Sequence, residues 1–529
     1  MSPGATRSPT AHSILNTVPV MWALIVAMGE RYSGRYAAAM LLAIDQGTTS
    51  TRAVLFDLAG NQLALARRPL ATTAPAPGLV EQDPDQIWRG TEEVVAEVLA
   101  AAEPGAVAAV GITNQRETVC VWDPQTGEPL APAIVWQDRR TAPLCERLKE
   151  EGHEPLLRQR TGLLFDPYFS ATKIAWLLAN VEGLRERARR GRAVFGTVDA
   201  FLAFKLCGRF VTDASNASRT ALFGLSAGEW DRELLALFGG IEVGWLPEVV
   251  DTAGVVGTVT AGCFGGRRLP LAALVGDQQA ALFGQGCLAA GEGKNTYGTG
   301  AFLLQNAGEA PPPCPDGLLA TVGWRFGGKT TYALEAPLFT AGAAVGWLRD
   351  RLGILAEAGE SERLARSVPS SAGVLFVPAL TGLGSPYFNP HARAAFLGLS
   401  NATAAAHLVR AVLEGIALQT ADALAAMEPH LPAPIARLRV DGGATANGFL
   451  MQCQADLAGV AVEVARLTET TALGAALLAG VGAGLLNPQE AAAAAAPART
   501  YHPQLDPAQR AALLSRYRQA VALIGAFGA

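Results

Sequence analysis

Eight consecutive residues, Asp45-Gln46-Gly47-Thr48-Thr49-Ser50-Thr51-Arg52, place a carboxylate, a glycine, hydroxyl groups and a guanidinium around a single tight turn. A glycine lets the backbone approach an anion closely, the amides beside it can converge, and Thr48, Thr49 and Ser50 add hydroxyl donors. The combination makes a phosphate cradle, with Arg52 as its cation. Asp45, closing the preceding strand, is placed to anchor a magnesium ion through water. The stretch is not the GxxxxGK[ST] loop, because no lysine follows and a strand rather than a helix comes next. Taken alone it also fits a hairpin turn that binds nothing.

Further turns of the same kind recur at distant points. "NTYGTGAF" offers a second cluster of donors around Thr299, and "VDGGATANGF" offers the backbone of Gly442 and Gly443 to lie flat against a purine, with Asn447 nearby as a hydrogen-bonding side chain. "GDQQ" sets Asp277 and Gln278 between a strand and a helix. In this order the turns match the actin-like ATPase plan, in which two related domains clamp a nucleotide between paired hairpins.

The elements that must hold these turns read as α/β from Leu41 onward. "RAVLFD" and "VAAVGITN" are strand-like, and "DQIWRGTEEVVAEVLAAA" carries Ile87, Val94, Val95 and Val98 at helical spacing after an Asp-Pro start. "AAHLVRAVLEGIALQTADALAAM" predicts a second long helix with Leu408, Val412, Ile416 and Ala417 along one face. "AIDQGTTSTRAVLF" and "KNTYGTGAFLLQ" each put a Gly/Thr turn between β-compatible segments, which reads as a duplication with its boundary near Phe283 to Gly286. The predicted architecture is two related actin-like ATPase (ribonuclease H-like) domains, 40–284 and 285–529, with a nucleotide and substrate cleft between them.

Composition narrows the class. A chain of 529 residues needs more than one core, and half of it is hydrophobic with only 17% charged residues. The apolar content is dispersed in short runs, so stable membrane insertion is not expected. A net charge of −5 and no Lys/Arg block argue against nucleic acid as a partner. The 7 cysteines, odd in number and far apart, read as reduced thiols rather than a disulfide frame or zinc site. Val18 to Met28 is an apolar run of signal-peptide length but has only Arg7 upstream and no clear cleavage site; residues 1–39 are expected to be an unstructured extension outside the fold.

"YFSATKIAWLL" (Tyr168 to Leu178) and "AFLGLSNATAAAHLVRAVLE" (Ala395 to Glu414) resemble the two signatures of the FGGY carbohydrate kinases. "GITNQRETVCVWD", "AIVWQDRRT", "TGLLFDPYFSATK", "GDQQAALFGQ", "NTYGTGAF" and "VDGGATANGFLMQ" are similar, in order, to motifs of that family's glycerol-phosphorylating branch. The resemblance runs from about residue 41 to the last helix. It implies transfer of phosphate from ATP to glycerol, giving sn-glycerol 3-phosphate, with magnesium, in the cytoplasm, by a homo-oligomer of two or four subunits. It further implies that Arg116, Glu117, Tyr168, Asp277 and Gln278 bind the hydroxyls and that Trp136 and Phe302 cover the carbon edge. A triol suits such a site, since three hydroxyls on a small apolar backbone call for polar forks on one side and rings on the other. Asp277 is the expected general base on the attacking hydroxyl, because phosphoryl transfer leaves the protein positioning, charge neutralisation and proton removal.

On the nucleotide side the resemblance implies Thr48, Thr49, Ser50 and Arg52 at the phosphates, Thr299 on the second hairpin, and Gly342, Gly443 and Asn447 around the nucleoside. Gly346 departs from the pattern, standing where similar enzymes carry a glutamine. Gly262, Gly266 and Arg268 in "GCFGGRR" have the spacing of a loop that binds fructose 1,6-bisphosphate in some bacterial members; a plain surface hairpin fits them equally. Two other readings stand beside this one: an FGGY kinase for a ketose or sugar acid, and an actin-like ATPase with no small substrate.

Overall fold

A computed structural model of the chain describes residues 39–103 and 105–527. The expectation for the 1–39 extension falls, apart from Ala39, outside the described residues. The first sheet is built from β1 (Met40–Gln46), β2 (Ser50–Asp57), β3 (Gln62–Pro69), β4 (Val107–Asn114), β5 (Ala253–Thr258) and β6 (Pro270–Gly276), in the order β5-β6-β4-β1-β2-β3. β1 lies antiparallel to β2 and parallel to β4, and β4 is parallel to β6. Leu41 through Ile44 are fully buried because β1 is central and both faces of the sheet are covered. One cover is α1 (Pro84–Ala100), started by the Asp83 side chain, which accepts from the Asp85 amide, and by Pro84 in the first turn. Its buried residues include Ile87, Val94, Val95 and Val98, the stripe that the spacing predicts.

After β6 the chain enters α2 (Asp277–Gly284) and then a second sheet of β7 (Gly293–Tyr297), β8 (Ala301–Gly308), β9 (Leu319–Phe326), β10 (Lys329–Leu338), β11 (Arg437–Asp441), β12 (Ala461–Ala465) and β13 (Pro497–Tyr501). Its order is β9-β10-β8-β7-β11-β12-β13. The run β10-β8-β7-β11-β12-β13 repeats the antiparallel and parallel pairings of β3-β2-β1-β4-β6-β5. The fold is therefore a two-domain α/β structure of related halves, each opening on a hairpin with a Gly/Thr turn.

The helices after the last parallel strands join the halves. α3 (Thr470–Gly482) follows β12 yet lies on the first sheet: a Cβ at Gly111 of β4 would collide with the carbonyl oxygen of Ala475. α3 also crosses α2 at a small-residue contact, where a Cβ on Gly474 would collide with the carbonyl of Ala280 and one on Gly284 with that of Thr470. The alanine- and glycine-rich composition of α3 follows from this close approach. The predicted second long helix spans Ala405–Met427, but Leu408 is half-buried, while Val409 and most residues from Ala411 to Leu424 are buried all round, because it is enclosed by neighbouring elements. Among the described residues no helix is long and apolar enough to cross a membrane.

Candidate active site

The two hairpin turns share one construction. Gly47 donates its amide to the carbonyl of Ser50 at 3.0 Å, and Gly298 donates to that of Gly300 at 2.9 Å. Each turn is thereby closed by its glycine, and the amides of Thr48, Thr49 and Thr299 have no partner among the described residues. The glycine amide is thus spent on the turn, and the threonine amides beside it are the ones left for an anion. Ser50 Oγ is buried and unpartnered. Arg52, on β2, reaches Asp45 Oδ2 at 3.2 Å and Glu469 Oε2 at 2.7 Å, bridging the two halves. Burial pushes the Asp45 carboxyl up to about 7; Arg52 opposes the rise, while Glu469 and Asp277 add to it.

Across from the first hairpin, β4 ends at Asn114 and the chain turns sharply through Arg116 and Glu117. Glu117 has φ 63°, a left-handed conformation that costs a non-glycine residue about 1–2 kcal/mol. It is held there by Arg219, whose Nε donates to Glu117 Oε1 at 2.7 Å. Arg116 is 2% exposed and directs every edge of its guanidinium at a partner. Nη1 and Nη2 donate to the two oxygens of Glu335 at 2.5 and 3.1 Å, Nη2 lies 3.3 Å from Tyr168 Oη, and Nε is 3.2 Å from Asp277 Oδ1. Arg219 Nη2 adds a third bond to Glu335 at 3.0 Å. Burial alone would raise the Glu335 carboxyl; Arg116 and Arg219 outweigh it and hold the group below its ordinary value.

Asp277 is the first residue of α2, directly after Gly276, where a Cβ would sit 2.8 Å from Arg116 Cδ. Gly276 donates its amide to Ser215 Oγ at 3.0 Å, which pins the strand-to-helix junction. Asp277 Oδ1 faces Arg116 and accepts from the Gln278 amide at 2.7 Å, whereas Oδ2 has no protein partner among the described residues. The side chain is 29% exposed, so that second oxygen is reachable from the cleft. Burial raises the carboxyl, opposed by Arg116 and Lys294. Trp136 forms the centre of an aromatic wall, edge-on to Tyr168 with centroids 5.6 Å apart and to Phe302 at 6.5 Å. Its Nε1 donates to Thr48 Oγ1 at 2.9 Å, tying that wall to the first hairpin.

On the other side, Gly342 donates to Gly298 O at 3.0 Å, and the Thr299 carbonyl accepts from Ala341 and Ala343 at 2.9 Å. Gly442, at φ 92°, is packed so tightly on Tyr297 that a Cβ would strike its carbonyl, while Gly443 is exposed with open space around it. These residues gather around the β7–β8 turn. The Asn447 side chain is otherwise engaged: Oδ1 accepts from the Leu450 amide, capping helix Gly448–Ala458, and Nδ2 donates to Ser361 Oγ. A Cβ at Gly346 would meet nothing closer than Asp350 Oδ2 at 4.0 Å beyond its own turn of helix. The Gly262–Arg268 loop is not part of this assembly. It joins β5 to β6 and lies against the end of α1, where Arg267 reaches Leu99 O; Gly262, Gly266 and Arg268 are exposed.

Sequence reasoning did not single out Arg219, Lys294, Glu335 or Glu469. Lys294 and Glu335 did carry a signal, Lys294 being the lone charge of β7 and Glu335 the one buried charge of β10, where an unpaired charge would be costly.

The profile of the FGGY family of carbohydrate kinases, N-terminal domain, matches residues 40–284, and that of its C-terminal domain matches 293–483. A glycerol kinase of Citrifermentans bemidjiense is 54% identical over 488 residues, covering 91% of this chain and 98% of that protein. A glycerol kinase of Thermus brockianus is 52% identical, covering 91% and 97%. Among solved structures, Plasmodium falciparum glycerol kinase with ADP superposes with a TM-score of 0.88 at 32% identity, covering 92% of this chain and 98% of that one.

Proposed function

Because this chain belongs to the FGGY family of carbohydrate kinases, we propose that its cleft transfers the terminal phosphoryl group of ATP to glycerol, yielding sn-glycerol 3-phosphate and ADP. The observation that carries the reading is the Asp277 carboxylate. One oxygen is fixed by Arg116 and a backbone amide, and the other is free toward the cleft. That free oxygen accepts the proton of the attacking hydroxyl as transfer proceeds. Burial makes it a stronger base than an exposed aspartate. Arg116, Glu117, Tyr168 and Gln278 orient the hydroxyls, and Trp136 with Phe302 shields the carbon chain from water. Thr48, Thr49, Ser50 and Arg52 receive the phosphates from one hairpin and Thr299 from the other, with Gly342, Gly443 and the Asn447 turn bordering the nucleoside.

Asp45 suits magnesium, being a hard-oxygen ligand, buried, with its proton affinity raised and only one oxygen engaged by Arg52. The ion, held through water, would neutralise phosphate charge. The 40–284 and 285–529 division, a cytoplasmic setting and a homo-oligomer of two or four subunits belong to the same reading. So does a fructose 1,6-bisphosphate effector site at Gly262, Gly266 and Arg268, for which the exposed Arg268 is the support. An unchanged rate and oligomeric state with the bisphosphate removes that last element. The main reading is tested by coupled ADP release with glycerol, xylulose, gluconate and dihydroxyacetone; a strong preference for glycerol is expected, and equal turnover of a ketose or sugar acid refutes it.

A further inference from the structure

Lys294, the second residue of β7, is fully buried at the junction of the two halves. Its ammonium donates to Gln278 Oε1, to Thr296 Oγ1 at 2.9 Å and to the carbonyl of Phe302 at 3.2 Å. An ammonium has three protons and no lone pair, so all three protons are used and each partner must present an acceptor. That requirement decides which way the Gln278 amide points. Its oxygen turns to Lys294, so the two Nε2 protons are left for the Asp277 carboxylate, to which the Gln278 side chain hydrogen-bonds, and for the cleft.

We infer that Lys294 is a positioning residue, which fixes Gln278 as a donor beside the acceptor Asp277 and so makes the pair complementary to the attacking hydroxyl. A hydroxyl gives one proton and accepts another; Asp277 Oδ2 takes the first part and Gln278 Nε2 the second. With the amide reversed, two acceptors would face the same group and one would be left without a proton. Lys294 also bonds across the β7–β8 hairpin to Phe302, so the residue setting Gln278 is braced on the strands that carry Thr299.

The inference rests on the glycerol-kinase reading, and the wild-type enzyme tests that first: no ADP release with glycerol removes the reading itself. Given wild-type activity, Lys294→Met lowers kcat/KM for glycerol about 10- to 100-fold, the range for a hydrogen bond to a charged group, with most of the change in KM. Propane-1,2-diol and propane-1,3-diol keep a terminal hydroxyl to attack with, so their kcat/KM falls by the same factor as that of glycerol. Lys294→Arg keeps a donor-only cation and retains most of the wild-type kcat/KM. Gln278→Glu keeps an acceptor toward Lys294 while removing the cleft donor, so it lowers kcat/KM for all three with the fold held by an ion pair, and it carries the test if Lys294→Met does not fold. The inference is overturned if Lys294→Met or Gln278→Glu keeps the wild-type kcat/KM for glycerol, or if Lys294→Arg loses it to the same extent as Lys294→Met.

Discussion

Replacing Glu335 by glutamine removes one charge from a buried set that balances: Arg116, Arg219 and Lys294 against Glu117, Glu335 and Asp277. Glu335 is fully buried and accepts from both guanidiniums, so its loss leaves two cations facing each other with one carboxylate fewer between them. Breaking a buried pair from one side costs about 3–5 kcal/mol, because the remaining charge is neither solvated nor matched. The glutamine also turns an N–H toward guanidinium donors that it cannot bond. The expected result is a lower urea midpoint at unchanged slope. A catalytic consequence accompanies it: Arg116 is released to turn its Nη atoms onto Asp277, and the carboxyl then titrates lower and serves as a weaker base. The acid limb of the kcat profile therefore moves to lower pH while kcat falls. Removing a cation in the same background, Arg219→Met with Glu335→Gln, restores the balance and recovers part of the stability. The reasoning is refuted if Glu335→Gln unfolds within about 1 kcal/mol of wild type, or if the double variant loses the full sum of its singles.

Asp277→Asn keeps the shape and removes the base, so ADP formation with glycerol falls by about 10²- to 10⁴-fold in kcat; near wild-type turnover refutes the general-base role. Asp45→Asn bears on stability through pH. The native carboxyl titrates near 7 against 3.8 unfolded, so its favourable contribution is complete below about pH 4 and is lost as the pH rises through about 7. The asparagine variant is therefore more stable than wild type in urea melts at pH 8, by about 4 kcal/mol at most, and has no advantage at pH 4. A variant that is less stable at pH 8 contradicts the burial argument. Gly474→Ala forces a methyl into the Ala280 carbonyl where α2 and α3 cross, and about 1–3 kcal/mol of destabilisation by urea melts is expected in spite of alanine's better helix propensity. An unchanged midpoint would mean the helices are not in contact in solution.

What the sequence makes legible here is local. The strand, turn and strand around Gly47 and around Gly298 lie within 20 residues of chain each, and α1 announces itself through Asp83, Pro84 and a one-sided stripe. The enclosed helices are less readable: Ala405–Met427 and α3 are buried on most sides, so no single face stands out in their pattern. The site is legible only by halves. Arg116 and Asp277 emerge from resemblance to known motifs, yet the residues that make them workable lie far along the chain, with Glu335 219 positions from Arg116 and Glu469 417 positions from Arg52. No periodicity connects such pairs, because only the joining of two sheets brings them together. One rule could still have found them. A charge buried inside a strand must be neutralised by the fold, so Lys294 in β7 and Glu335, the one buried charge of β10, ask for partners of opposite sign. Arg116, Arg219 and Asp277 are those partners, which is why the same residues serve both as the seam between the halves and as the frame of the cleft. Stability and catalysis here draw on one set of charges, and a substitution that disturbs either is expected to register in both.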